Sequence, residues 1–261
     1  MRKGLLALGL ALLGTGAASL WAGPPYETDD PEPPALGHWE IILAGFTSAQ
    51  AGGAAGGGPQ LELNYGAGKD LQLSLSPQLS YDAPRSGPLN YGLGDTELGV
   101  KVRFLHETDR RPEAAFYPQV ALPTGDAGRG LGNGAAQVFL PLWFQKSWGP
   151  WSSFGGGGYW IDPGAGNRNW TFLGAALQRD LGGRFSVGGE LFYHSASQEP
   201  QYGIAGSDPI YLSTAQVAGG LGSNLAFLYH IDESDHILLS AGRDLVGNTA
   251  FTGYLAFEKL I

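Results

Sequence analysis

Residues 71–82 read LQLSLSPQLSYD, in which Leu71, Leu73, Leu75, Leu79 and Tyr81 alternate with Gln72, Ser74, Ser76, Gln78, Ser80 and Asp82. A period of two puts the apolar side chains on one face of a strand, here longer than most soluble strands. Just upstream, Leu61, Leu63 and Tyr65 alternate with Gln60, Glu62 and Asn64, and GAGKD between the runs is a hairpin signal. Further on, Leu98, Val100, Val102 and Phe104 oppose Glu97, Gly99, Lys101 and Arg103. Val138, Leu140, Leu142 and Phe144 share a face, as do Phe185, Val187, Leu191 and Tyr193, and then Phe251, Leu255 and Phe257. Helical spacing explains none of these runs.

The pattern predicts about twelve strands. They fall near 38–46, 60–65, 71–81, 95–106, 113–122, 136–147, 151–161, 169–179, 184–194, 214–228, 236–243 and 250–260. Joins after even-numbered strands are short: GAGKD, HETDRRP, KSWGP, DLGG and HIDESDH. Those after odd-numbered strands are mostly longer and rich in Gly and Pro, at 47–59, 82–94, 123–135, 162–168, 195–213 and 244–249. A soluble sandwich has no reason to sort its loops this way. The expected fold is all-β, a single antiparallel transmembrane β-barrel with short periplasmic turns and longer extracellular loops. Trp39, Trp143, Trp148, Trp151, Trp160 and Trp170 fall mostly at strand ends and are expected in interfacial girdles. Pro77, Pro118 and Pro141 oppose the assignment, since each removes a ladder donor and a closed barrel has no free edge; bulges would have to absorb them.

Composition narrows the setting. Arg2 and Lys3 precede the apolar run Leu5–Leu13 and small residues up to Ser19, the layout of a signal peptide over 1–22, with cleavage after Ala18 or Ser19 as competitors. There are 43 glycines, 11% aromatic residues and no cysteine, so no disulfide staples the fold. A net charge of −9 argues against nucleic acid as a partner. Residues 23–37 form a Pro- and acid-rich segment, and 38–261 make the barrel.

The segments GPPYETDDPEP, GHWE, LPTGDAGRGLGNGAAQVFLPLWFQKSWGPW, GNRNW, GGELFY and LLSAGR together resemble the family labelled MetA-pathway of phenol degradation. The resemblance runs from Gly23 to the C-terminus. It implies an outer-membrane transport barrel of a Gram-negative bacterium, passing aromatic or other small compounds, with no catalytic residue, no cofactor and no settled substrate. Its partners would be outer-membrane lipid, small solutes and the barrel assembly machinery. The chain departs from the usual aromatic terminal residue by ending Leu260-Ile261.

With the apolar faces toward lipid, the opposite faces supply lumen candidates: His38, Glu40, Glu62, Asp95, Glu97, Lys101, Arg103, Glu190, His194 and Glu258. Both signs of charge suit polar or amphipathic solutes; alternatively these groups cross-link a closed, structural or adhesive barrel. The glycines 155–158 either make room for a solute or inserted segment, or relieve crowding. GDAGRGLGNG lacks the ending and context of a phosphate loop. His194 and Ser195 are neighbours on a strand and point to opposite faces, which disfavours a lipid hydrolase, and no catalytic residue is assigned. HIDESDH lacks calcium-loop spacing and reads as a solvated turn, so no metal site is assigned there. The signature carboxylates Asp29, Asp30 and Glu32 leave two readings open. Prolines could hold a stiff periplasmic tether, or the carboxylates could meet Lys101 and Arg103 as a strap inside the lumen.

Overall fold

The structure, a computed structural model, describes residues 24–164, 166–197, 219–247 and 251–261. The expected signal peptide, most of the expected loop 195–213 and the start of the expected strand 214–228 lie outside the described residues.

Strand segments follow in the order β1 (Trp39–Gln50), β2 (Gly53–Gly68), β3 (Leu71–Ser76), β4 (Gln78–Pro84), β5 (Asn90–Leu93) and β6 (Thr96–Leu105). Then come β7 (Glu113–Phe116), β8 (Gln119–Leu122), β9 (Gln137–Trp148), β10 (Trp151–Ile161) and β11 (Trp170–Asp180). The last are β12 (Phe185–His194), β13 (Gly220–His230), β14 (Asp235–Val246) and β15 (Phe251–Leu260). These 15 segments form one antiparallel sheet, in which β1 pairs with both β2 and β15. Three staves are interrupted, as β3–β4, β5–β6 and β7–β8, so the sheet is a closed barrel of twelve staves. Closure is sealed where Trp39 and Ile261 exchange N–H···O bonds, both 2.9 Å. Both ends of the barrel domain thus lie at one rim, the periplasmic one in outer-membrane barrels.

The alternation settles which face is which. Leu73, Leu98, Leu142, Leu173, Leu191 and Leu255 are exposed on the outer surface. Gln72, Ser76, Gln78, Ser80, Gln178 and Ser186 are buried inside. An apolar exterior around a polar interior is the reverse of a soluble barrel and fits a hydrocarbon solvent.

Two expectations need correcting. The joins foreseen at 47–59 and 82–94 are largely strand: β1 and β2 meet at a tight turn over 51–52, and β4 and β5 at 85–89. The upper part of β2 reads GAAGGGP, whose tiny side chains carry no alternation to read. Length asymmetry between the two rims therefore rests on later joins, such as 123–136 and 162–169. Trp143, Trp160 and Trp170 are not in a girdle; they are buried inside the barrel, while Trp39 and Trp148 are exposed. Their parity was readable, because Trp143 opposes Leu142 and Phe144 on the same strand.

The prolines sit at interruptions. Pro77 separates β3 from β4, and its carbonyl accepts from Leu61 N–H. Pro118 lies between β7 and β8 with its carbonyl on Val100 N–H. Pro141 stays within β9, where its carbonyl accepts from Tyr117 N–H; its missing donor therefore faces the β7–β8 break, since a strand residue's N–H and C=O point the same way. Two of the three interrupted staves, β3–β4 and β7–β8, break at a proline.

Leu225, at mid-height of β13, is 74% exposed and outward-facing. Leu225→Arg should destabilise the barrel by about 2–4 kcal/mol in urea titrations from lipid vesicles, the cost of a cation at the bilayer midplane. A loss below about 1 kcal/mol would contradict the assigned outer face.

Candidate functional site

Residues 24–38 run from the periplasmic rim into the barrel interior. At the rim, Gly37 N–H donates to Gly66 O and Gly66 N–H to His38 O. A Cβ at Gly66 would strike the Ala35 carbonyl, so glycine there admits the segment. Farther in, the segment touches two opposite walls. On β6, Lys101 Nζ lies 3.2 Å from Asp29 Oδ1 and 3.8 Å from Asp30 Oδ1. Across the lumen on β12, Glu190 accepts from Thr28 N–H at 2.6 Å and Glu27 N–H at 3.0 Å, with Asn224 Nδ2 of β13 at 3.0 Å.

Packing completes the seat. The Tyr26 hydroxyl donates to Gln178 Oε1 of β11, and its ring meets Phe154 of β10 edge-on at 5.1 Å. Tyr26 and Thr28 are buried, and two wall glycines make room for them. A Cβ at Gly174 would collide with Thr28 Oγ1, and one at Gly188 with Tyr26 Oη. Asp29 and Asp30 share the buried ammonium of Lys101, and removing one partner of a buried pair costs about 3–5 kcal/mol. Electrostatics and shape act together on one short stretch.

Around this seat the candidate residues separate into groups. Glu40 and Glu62 share Asn64 Nδ2, at 2.7 and 2.9 Å. They line a small pocket with Glu258, Lys101, Asp29 and Asp30. Arg103 reaches Asp70 at 3.0 Å, Glu113 at 3.4 Å and Glu32 at 4.0 Å, tying the turn, the wall and the segment. Desolvation raises the Asp70 carboxyl, but the hydrogen bond and charge of Arg103, with His106 beside it, leave it below the usual carboxylate range. Glu97 lines the cleft described below. His38 is exposed at the rim rather than inside.

Asp95 and His194 are buried but stand apart from the segment. Asp95 accepts Gly125 N–H at 2.8 Å and Asn133 N–H at 2.7 Å, pinning the 123–136 join over the outer end. Asn133 then joins Asp162 and Asn167 in an amide–carboxylate network linking two outer joins. His194 packs edge-on against Trp170 at 6.5 Å. Ser195 turns away from it, its hydroxyl accepting Thr171 N–H.

The sequence reading missed an inward aromatic wall on β9–β12. Phe139 stacks on Trp160 at 4.6 Å and Trp160 on Trp170 at 5.3 Å, while Trp143, Phe172 and Phe192 pack below. Of the glycines 155–158, Gly156 and Gly158 lie beneath these rings, where added Cβ atoms would strike the β9 backbone at Leu142 and Pro141 and press on Trp143 and Phe139. Glu113, Tyr117, Gln178 and Asn224 also went unremarked; each lies in a short or broken strand, or one whose polar face carries few charges. On the other walls a cleft opens to solvent, bounded by Glu62, Glu97, Tyr117, Asn224 and Tyr254 and by Pro25 and Tyr26 of the segment.

No family model and no curated protein sequence matches the chain. Among solved structures it is similar to a COG4313 outer membrane channel from Pseudomonas putida F1, with a TM-score of 0.66 at 15% identity. That match covers 89% of this chain and 98% of the other. It is also similar to the NanC porin, with a TM-score of 0.57 at 7% identity over 84% of this chain and 98% of that one. The KdgM porin in complex with disordered oligogalacturonate gives 0.53 at 8% identity, over 84% and 98%. These likenesses establish the fold, and the apolar exterior places the chain as a bacterial outer-membrane β-barrel.

The absence of native cysteine makes seating of the segment measurable. In a Thr28→Cys protein, maleimide labelling should be slow. Adding Lys101→Met or Gly188→Val should speed it by about tenfold or more, as each ~1.4 kcal/mol of lost seating is a factor of ten in the open population. Equal rates would show that neither contact holds the segment.

Proposed function

We propose that this barrel is an outer-membrane channel through which small solutes, aromatic compounds among them, diffuse down their gradient, and that residues 24–38 set the width of its lumen. The observation that carries the reading is the polar cleft that opens to solvent inside a closed barrel, with the segment forming part of its boundary. A purely structural barrel of this size could fill its interior with side chains. Here a polar chamber instead stands beside a buried aromatic wall. The rings that line the cleft, Tyr26, Phe46, Tyr117 and Tyr254, offer π-faces to aromatic solutes, and Glu62 and Glu97 offer acceptors to polar ones. The structural neighbours named as a channel and porins, and the resemblance to the phenol-degradation transport family, support the same reading.

Passive transport needs no energy source, and the mechanism is one of selection. Lys101, Arg103 and Glu190 hold the segment across the lumen, so a solute must pass beside it or wait for it to shift. Most inward charges are carboxylates, among them Glu40, Glu62, Glu97 and Glu258, which makes the path less favourable for anions.

Single-channel recording in planar bilayers, with liposome swelling in phenols and sugars, tests the proposal. A measurable conductance is expected, and deletion of residues 24–35 should raise it several-fold. An inert barrel in both assays would favour the structural or adhesive alternative. Conductance unchanged by the deletion would leave a channel but remove the segment's role.

A further inference from the structure

We propose that His230 and His236 form a binding site for a divalent, imidazole-preferring metal ion such as zinc or nickel, at the inner periplasmic rim. The two residues flank the turn between β13 and β14 and are register partners that close the hairpin. Both face inward: His236 shares its face with buried Leu238, and His230 with buried Leu228. Their Nδ1 atoms stand 3.1 Å apart, with the rings nearly perpendicular at 81°.

Two nitrogens at that distance share one proton or bind one metal. Metal–imidazole bonds of about 2.0–2.1 Å with that spacing give an N–metal–N angle of roughly 100°, between square and tetrahedral values. Ser186 Oγ lies 3.1 Å from His230 Nε2. With that hydroxyl accepting the Nε2 proton, His230 Nδ1 is left as a bare lone pair aimed at its partner. Such an outer contact is what orients metal-ligating histidines.

The turn is also stiff before any ion arrives. Asp232 Oδ1 accepts from Ser234 N–H, Ser234 Oγ–H and Asp235 N–H, and Asp235 pairs with Lys259 at 2.7 Å. His230 N–H donates to Arg184 O, and Leu260 N–H to Ser234 O. Asp232 and Asp235 are thus engaged in building the turn, and the inward-facing imidazoles are left as the ligands. A preorganised pair loses little entropy on binding. No third His, Asp or Glu joins them among the described residues, so water would fill the remaining positions. Imidazole ligands with open positions favour zinc or nickel over calcium or magnesium, which prefer oxygen.

The site is independent of the channel reading. Isothermal titration of tag-free, detergent-folded protein with zinc chloride at neutral pH should show one saturable site. His230→Ala and His236→Ala should each abolish it, and Ser186→Ala should weaken it about tenfold. Heat-resistant electrophoretic mobility checks that each variant is folded. His38 and His106, both exposed, remain in the double His230→Ala/His236→Ala variant and serve as its control. Absence of saturable binding in the native protein, or its persistence in that double variant, overturns the proposal. If the variants fail to fold, zinc-edge X-ray absorption on the native protein decides: two imidazole nitrogens support the site, and fewer overturn it.

Discussion

A peptide N–H or C=O left unpaired in hydrocarbon costs several kcal/mol, and this chain answers that cost by joining its first and last strands. Ten register pairs between β1 and β15, from Glu40↔Leu260 to Ala49↔Phe251, remove the two edges an open sheet would have. Closure fixes everything else. It forces alternate residues inward, where each stave must supply side chains that tolerate water and one another. It also brings the N-terminal segment to the rim beside Ile261, at the mouth of the space just enclosed.

Closure also explains how the sheet tolerates prolines. An interior strand has no free side on which to hide a missing donor, so the ladder is interrupted instead. The break between β3 and β4 falls at Pro77, and Pro118 and Pro141 face a shared break beside Tyr117. Concentrating the defects spares the rest of the ladder.

Inside, two kinds of surface divide the lumen. The wall from β9 to β12 is aromatic, with Gly156 and Gly158 flattening β10 beneath the rings. The other walls combine polar, mostly acidic groups with an apolar cluster of Ile42, Leu228 and Leu238 around Tyr26, and residues 24–38 span between β6 and β12. The segment is held by few but well-buried interactions. Backbone N–H groups of Glu27 and Thr28 reach a carboxylate, one lysine serves two aspartates, and glycines stand where side chains would block the seat.

Much of this was legible in the sequence. The two-residue period in 71–82 and 97–104, together with the short joins GAGKD and KSWGP, specified strands, faces and a barrel, because alternation is a local consequence of the pleat. It failed where side chains are too small to alternate, as in GAAGGGP of β2, and for tryptophans judged by strand-end position rather than parity. Contact of Asp29, Asp30 and Glu32 with Lys101 and Arg103 was one of the two readings the charges left open, whereas the pairing of Thr28 with Glu190, 162 residues away, could not be read. Nor could the sequence show that His230 and His236 converge while Asp232 turns back on its own turn. The local pattern determined the strands and their two faces; the curvature and closure of the barrel decided what stands opposite what, because partners across a lumen are set by geometry between strands and not along any one of them.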